Sequence, residues 1–542
     1  MEGGAAIVWT QDIDPFGNIW VSAVVAAAPI LIFLICLVAF KLHGLIAAAI
    51  AVVAEIVVAA FAFQMPPGGI AGSALFGLLT AIWPIAYIIV MAVWLYRLAV
   101  ASGHFDVIRA SIGGISPDQR IQVLLIAFAF GAFLEGAAGF GVPIAICAAL
   151  LVQLGFRPVK AAMISLVANA AAGAYGAIGI PVIIGAQVGG VDVLELSRML
   201  VLLIQPLALI TPFLVVAILD GWRGLRETWP ATLVVSVVFS GVQASVLWFL
   251  GPELADIGSG LAAMVALFVL GRYWQPRRIF REDGGAAPEP HRHSVREILV
   301  AWSPFYILTG FIFVWSIPWF RDLFASGGAL SGAVVSLPIP GVTGAITTPA
   351  GEAISNTWGF TPINATGTAI LLAVIVSFFT MPTLKLADLF DELMETIRML
   401  WGALVLIAAI LVLANIANFS GGSASIGTAL AEVGPIFPLF APIIGWFGVF
   451  ITGSVVNNNT LFAQLQVATA QRIGVDPVLL VAANTAGGNT AKVISPQSIA
   501  IAAGAVGLSG REAEILRASI WYSLGMLAFT CVWTFVLSLV FT

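Results

Sequence analysis

Two side chains of opposite charge stand out in a chain that is otherwise strongly apolar. Glu135 lies in FLEGAAGFGVP at 133–143, and Lys492 lies in NTAGGNTAKVISPQSIAIA at 484–502. Ionisable groups in such surroundings are expensive to bury in lipid and usually functional. A lysine there can pair with an anionic ligand or with an acid; its other reading is a side chain snorkelling to the interface. Glu135 is a candidate proton carrier, because desolvation makes the charged form of a carboxyl costly; it can equally form a structural ion pair. Neutral polar residues gather near both. Asn457, Asn458 and Asn459 lie in GSVVNNNT at 453–460; Asn484, Thr485, Asn489, Thr490 and Gln497 surround the lysine; Asn169 and Tyr175 belong to NAAAGAYG at 169–176. Asparagine, glutamine and threonine offer neutral hydrogen bonds. Gly136, Gly139 and Gly141 let the backbone approach a ligand closely. A helix that restarts inside the membrane presents free N–H groups and a positive dipole end to an anion. The combination suits a small carboxylate, although the asparagines can instead satisfy unwound backbone. Glu55 is a second intramembrane acid whose simpler role is helix packing.

The elements that must position these residues follow from length. Gln119–Gly155 carries two apolar arms of roughly 14 residues around Glu135–Gly141, and at 1.5 Å per residue each arm reaches only about 20 Å into a core of about 30 Å. The segment therefore reads as a re-entrant hairpin at 121–155, because non-helical backbone survives at membrane depth only when buried in protein or lining a wet cavity. A kinked pair of helices packed through small residues is the alternative. An interrupted helix is expected at 158–189, a second hairpin at 436–473 and a second interrupted helix at 477–506. Full spans are expected near 19–40, 44–63, 72–99, 197–219, 228–250, 257–274, 297–319, 361–381, 393–418 and 517–541. With the interrupted helices, that is about twelve crossings and two hairpins in an all-α polytopic membrane protein.

Composition agrees. Of 542 residues, 61% are hydrophobic and 9% charged, against about 25% charged in soluble domains. The formal charge of −5 and the lack of a basic stripe argue against nucleic acid. No phosphate-binding loop, dinucleotide fingerprint or zinc spacing calls for a cofactor. Cys36, Cys147 and Cys531 all lie in apolar runs and read as small hydrophobes. His291 and His293 fall in the polar stretch 275–296 and lack a third ligand for a metal. No basic n-region precedes the first apolar run, so that run reads as a retained anchor. The positive-inside rule puts 275–296 in the cytoplasm as a linker and places 18 of the 22 basic residues there, leaving Arg198, Arg321, Arg472 and Lys492 elsewhere. Both termini are then outside. The Gly/Pro-rich region 320–360 is the part whose crossing would reverse the second half.

The two halves carry a faint copy of each other. Phe133-Leu-Glu-Gly136 answers Phe450-Ile-Thr-Gly453, and Gly155-Phe-Arg-Pro158 answers Gly474-Val-Asp-Pro477. Asn169, Gly173 and Pro181 match Asn484, Gly488 and Pro496 at a constant offset of 315. An odd number of crossings between the copies turns the second one over, giving an inverted-topology repeat with discontinuous helices. Such repeats place transporter sites at their interface near the bilayer midplane. The expected division is 1–71 for N-terminal spans, 72–190 for the first repeat, 191–386 for scaffold spans and linker, 387–506 for the second repeat and 507–542 for a last span.

FLEGAAGFGVP at 133–143, NNNTLFAQLQ at 457–466 and NTAGGNTAKVISPQSIAIA at 484–502 closely resemble the L-lactate permease family. The likeness covers nearly the whole chain. It implies proton-coupled uptake of L-lactate and related 2-hydroxy monocarboxylates, D-lactate and glycolate among them, across the bacterial inner membrane. No enzyme activity is implied. Distant relatives with paired hairpins often bind sodium at Asn/Thr-rich tips, so a sodium-coupled carboxylate carrier stands beside the proton symporter, and an anion channel behind both. An elevator-like or rocking motion would carry the substrate across.

Overall fold

A computed structural model describes residues 8–113, 116–282 and 294–541. The chain is mostly helical, and nine of the described helices are long and apolar enough to cross a membrane, or ten if the bent pair Val295–Ala301 and Ser303–Ser316 is one span. One of the nine, Val193–Phe249, has 57 residues and would be about 86 Å long if straight. It folds back at Asp220 and Gly221, whose backbones leave the helical region. Its halves then run side by side: Arg198 donates to the Trp248 carbonyl, Gln205 to Gln243, and Ser236 to the Leu209 carbonyl. That helix therefore supplies two of the twelve expected crossings. Thr366–Phe378 has only 13 residues and is short for a span.

The segment 119–155 is a hairpin with unequal arms, Gln119–Ala137 of 19 residues and Val142–Gln153 of 12. The sequence estimate of two equal short arms is corrected here. The first arm is longer because helix persists through Glu135, Gly136 and Ala137, which the sequence assigns to the tip; Asp118 caps its start, its side chain accepting from the Arg120 amide at 2.9 Å. The arms still enter and leave at one end, since Gln119 Nε2 donates to the Leu154 carbonyl at 3.3 Å. The tip turns through Gly139, Phe140 and Gly141, all at positive φ, and Pro143 restarts the helix where a missing N–H does no harm. Next comes Pro158–Asn169, a break at 170–179 that runs left-handed through Ala177, Ile178 and Gly179, and a helix on to Gly189. In the second half Gly434–Thr452 turns at Gly453 and Ser454 into Val455–Ile473, followed by Pro477–Ala491, a break at 492–495 and Pro496–Ala505.

The breaks of the second half are narrower than the sequence suggests. Ser454 caps its helix by accepting from the Asn457 amide, so Asn457, Asn458 and Asn459 are helical rather than unwound. Likewise Asn484, Thr485, Asn489 and Thr490 lie within a continuous helix that ends only at Ala491.

The ends of the two hairpins lie against opposite ends of the helix 193–219. The first hairpin's open end meets its Leu219 end: Arg120 pairs with Asp220 and Glu227, and Lys160 Nζ donates to the Leu219 carbonyl. Residues 275–282 of the linker lie on the same face, where the Gln119 amide donates to the Phe280 carbonyl at 3.1 Å. The open end of the second hairpin lies at the Val193 end, where Val475 and Phe437 share a core with Leu196 and Leu247. Trp9 and Phe541 belong to that face too. The Asp476 amide donates to the Phe541 carbonyl, and Trp9–Thr10 pairs in parallel with Ile346–Thr347. Residues 335–360 form a small β-structure, Val335–Pro338 against Thr357–Phe360, and Arg321 reaches the Leu250 carbonyl. This region therefore stays on one face and does not cross. His291 and His293 lie outside the described residues.

Candidate functional site

All four breaks open on one cavity of about 70 Å³, lined by Glu135, Gly139–Gly141, Gly173, Gly176, Ala177 and Pro181 from the first half and by Gly453–Val456, Lys492, Gln497, Ser498 and Ile501 from the second. Four helix N-termini converge there, those starting at Val142, Val455 and Pro496 and the restart after the left-handed stretch Ala177, Ile178 and Gly179, where Pro181 lines the cavity. Ser495 caps the last of them, its hydroxyl accepting from the Ser498 amide at 3.2 Å. Such an arrangement favours an anion on backbone grounds alone.

The charged residues complete it. Lys492 Nζ lies 2.5 Å from Glu135 Oε1 in an ion pair that bridges the two halves. Asn169 donates to the other carboxylate oxygen at 2.8 Å. Glu135 is 1% exposed, while Lys492 Nζ keeps one side to the cavity. Two glycines make room for the pair. A Cβ on Gly176 would run into the Glu135 carboxylate, and one on Gly173 would come within 3.1 Å of Lys492 Cδ and 2.6 Å of Asn489 Oδ1.

Of the residues singled out by sequence, Glu135, Gly139, Gly141, Lys492 and Gln497 line the cavity. Asn169 touches it through Glu135. Asn489 holds the first break by donating to the Ala170 carbonyl at 2.6 Å, and its Oδ1 is buried without a partner. The others form a polar lock behind the cavity. Asn459 Oδ1 accepts from Asn484 at 3.0 Å and from Thr485 at 3.1 Å, and its amide donates to the Pro181 carbonyl at 2.8 Å. Asn458 donates to the Asn484 carbonyl. Thr490 bonds back to the Gly487 carbonyl, while its own carbonyl accepts from Ser523. Asn457 and Tyr175 are buried and each keeps an unpartnered oxygen. Gly136 faces Asp256 and Ile257 rather than the cavity. Glu55 lies on Gly44–Ala62, away from the lining.

Sequence reasoning missed Gly173, Gly176, Ser454 and Ser498 as lining residues, and Asp256 and Gln243 as buried polar neighbours. The positions of Gly173 and Ser454 inside the suspected breaks were a usable signal. Asp256 gave none, standing singly at the start of an ordinary apolar helix.

A second cavity of about 450 Å³ opens on the face that holds Trp9 and Phe541. Gln11, Thr80, Asn356, Asn415, Asn418 and Gln464 are among its lining, which has no charged side chain.

Interrupted apolar helices, long spans and a small cavity around a buried ion pair define a multi-span membrane transporter. The particular family follows from comparison: the chain belongs to the L-lactate permease family, whose profile matches residues 22–541. It is 47% identical to the L-lactate permease of Halalkalibacterium halodurans over 98% of this chain and 99% of that one. The L-lactate permease of Escherichia coli is 44% identical, covering 97% of each chain. The glycolate permease GlcA of the same organism is 42% identical over 96% of each. Among solved structures the chain is similar to the YdaH transporter of Alcanivorax borkumensis, with TM-score 0.45 and 15% identity over 86% of this chain and 87% of that one.

Proposed function

We propose that the protein is a proton-coupled symporter of L-lactate, D-lactate and glycolate in the bacterial inner membrane, with both termini outside. The observation that carries this is the buried Glu135–Lys492 pair at the meeting point of four helix ends. A lactate carboxylate entering the cavity competes with Glu135 for Lys492. A carboxylate left behind, 1% exposed and without its cation, would be strongly unfavourable, so Glu135 gives up Lys492 only as it takes a proton. One proton then travels with one monovalent anion, and the step is electroneutral. After release Glu135 re-pairs with Lys492 and the empty site returns without net charge.

The cavity also suits a 2-hydroxyl. Asn489 Oδ1 faces Gly173 without a donor, and a hydroxyl next to a carboxylate bound at Lys492 supplies one. The opposed open ends of the hairpins fit an inverted repeat whose 72–190 and 387–506 segments move as an elevator against the remaining spans. The 450 Å³ cavity serves as the vestibule on the outer face.

Uptake into proteoliposomes tests the reading. Glu135→Gln should abolish the pH dependence of lactate uptake; uptake with unchanged pH dependence would remove Glu135 from the coupling. Sodium coupling has its own support in the unpartnered oxygens of Asn457, Asn458 and Asn484 near the second tip. Replacing Na⁺ by choline separates the two readings, because a proton symporter is indifferent to the exchange. Trans-stimulation of labelled lactate excludes a channel.

A further inference from the structure

A second buried carboxyl stands directly behind the ion pair. Asp256, at the start of Ala255–Tyr273, is 1% exposed. Its Cβ lies against Gly136, where an added Cβ would come within 2.8 Å. Its Oδ1 accepts from Gln243 Nε2 at 2.9 Å, while Oδ2 is buried with no partner. Gln243 also donates to the Ala171 carbonyl in the first break and accepts from Gln205 at 2.8 Å. The ionisable groups that face Asp256 are Glu135 on the hairpin, Lys492 on the second broken helix and Tyr175 on the first. None of them forms an ion pair with it.

From Gln243 a polar file runs toward the linker face. Ser240, Ser236, Thr232 and Thr228 follow at steps of three or four residues and are all buried. Thr228 Oγ1 and Thr232 Oγ1 are 3.4 Å apart, and the file ends beside Glu227, which pairs with Arg120. Steps of four residues put side chains about 6 Å apart on one helix face, a gap that one water can bridge. Thr228 and Thr232 also bond to the carbonyls four residues back, the ordinary habit of helical threonine. That habit does not explain Ser240 Oγ, Gln205 Oε1 and Asp256 Oδ2, which are buried without partners.

We infer that Asp256 is the relay acid through which Glu135 exchanges its proton with the linker face, along the hydroxyl file Ser240, Ser236, Thr232 and Thr228, while Gln243, whose amide donates to Asp256 and to the Ala171 carbonyl, holds the acid in place. This rests on the proton coupling proposed above. As lactate leaves, Lys492 re-pairs with Glu135, whose O–H bond breaks. Asp256 accepts that proton on one carboxyl oxygen and hands it on to the file. One proton leaves the site, no charge accumulates, and nothing is oxidised or reduced.

Asp256→Asn keeps the shape and the Gln243 contact but cannot pass a proton. Reconstituted full-length protein should then lose at least tenfold in lactate accumulation driven by a pH gradient, and in lactate-dependent pH change read by an enclosed dye. Counterflow of labelled lactate at equal pH, which needs no net proton release, should stay within about twofold of wild type. Ser240→Ala should slow the pH change severalfold and leave counterflow intact. Asp256→Asn behaving as wild type in both assays would overturn the relay. Loss of both activities in a protein that elutes as a folded species would also overturn it, assigning Asp256 to structure. If the wild type itself moves lactate without any pH change, the proton-coupled reading fails first.

Discussion

Removing one partner of the Glu135–Lys492 pair should be far more damaging than removing both. At 2.5 Å and an effective dielectric near 20, two unit charges attract by about 7 kcal/mol. Desolvation offsets much of that, so the net value of the pair is small, but either charge left alone is buried and uncompensated. Lys492→Met and Glu135→Gln should each destabilise the folded protein by about 3–5 kcal/mol. The double variant holds two neutral groups of similar size and should recover most of the loss, giving a coupling of at least about 2 kcal/mol. Unfolding in mixed micelles by titration with a denaturing detergent measures all four corners of the cycle. Additive losses, with coupling under about 0.5 kcal/mol, would show that the two charges do not stabilise one another and would refute the electrostatic reasoning behind the site.

Other outcomes follow from the same geometry. Lys492→Ala removes a charge-assisted bond worth about 1.5–3 kcal/mol, so lactate affinity, measured by binding to purified protein, should fall about ten- to a hundredfold. Gly176→Ala puts a methyl group into the Glu135 carboxylate and should abolish lactate binding while the protein still folds; normal binding would mean that the carboxylate has room to move. Asn459→Ala strands the Asn484 amide donor, leaves Thr485 only its bond to the Val481 carbonyl and removes the side-chain donor to the Pro181 carbonyl, and should cost about 1–3 kcal/mol of stability. Asn489→Ala should narrow the preference for lactate over propionate by about tenfold, one hydrogen bond's worth, in competition uptake assays.

The helical membrane architecture was legible because its signal is coarse: long apolar runs have few other uses. The breaks were legible too, because Gly139, Gly141, Gly453 and Pro496 are local punctuation with local consequences. What local reading missed was how far helix persists. Three consecutive asparagines looked like unwound tip, yet Ser454 caps the helix one turn earlier and lets Asn458 and Asn459 bond across to neighbouring helices. Equal hairpin arms were inferred from a symmetric apolar pattern, whereas the first arm stays helical through Glu135, Gly136 and Ala137 before it turns. Asp256 was invisible for a different reason. Its importance lies in its closeness to Gly136, a contact between segments more than a hundred residues apart, and nothing in its neighbours along the chain marks it.

The most direct test of the account is the ratio of protons to lactate moved by the reconstituted protein, measured in the same vesicles with an enclosed pH dye and labelled lactate while the membrane potential is clamped. A cavity whose only cation passes from Glu135 to the substrate requires one proton per lactate, independent of voltage. Lactate influx without proton movement, or influx that responds to voltage at constant pH, would contradict it.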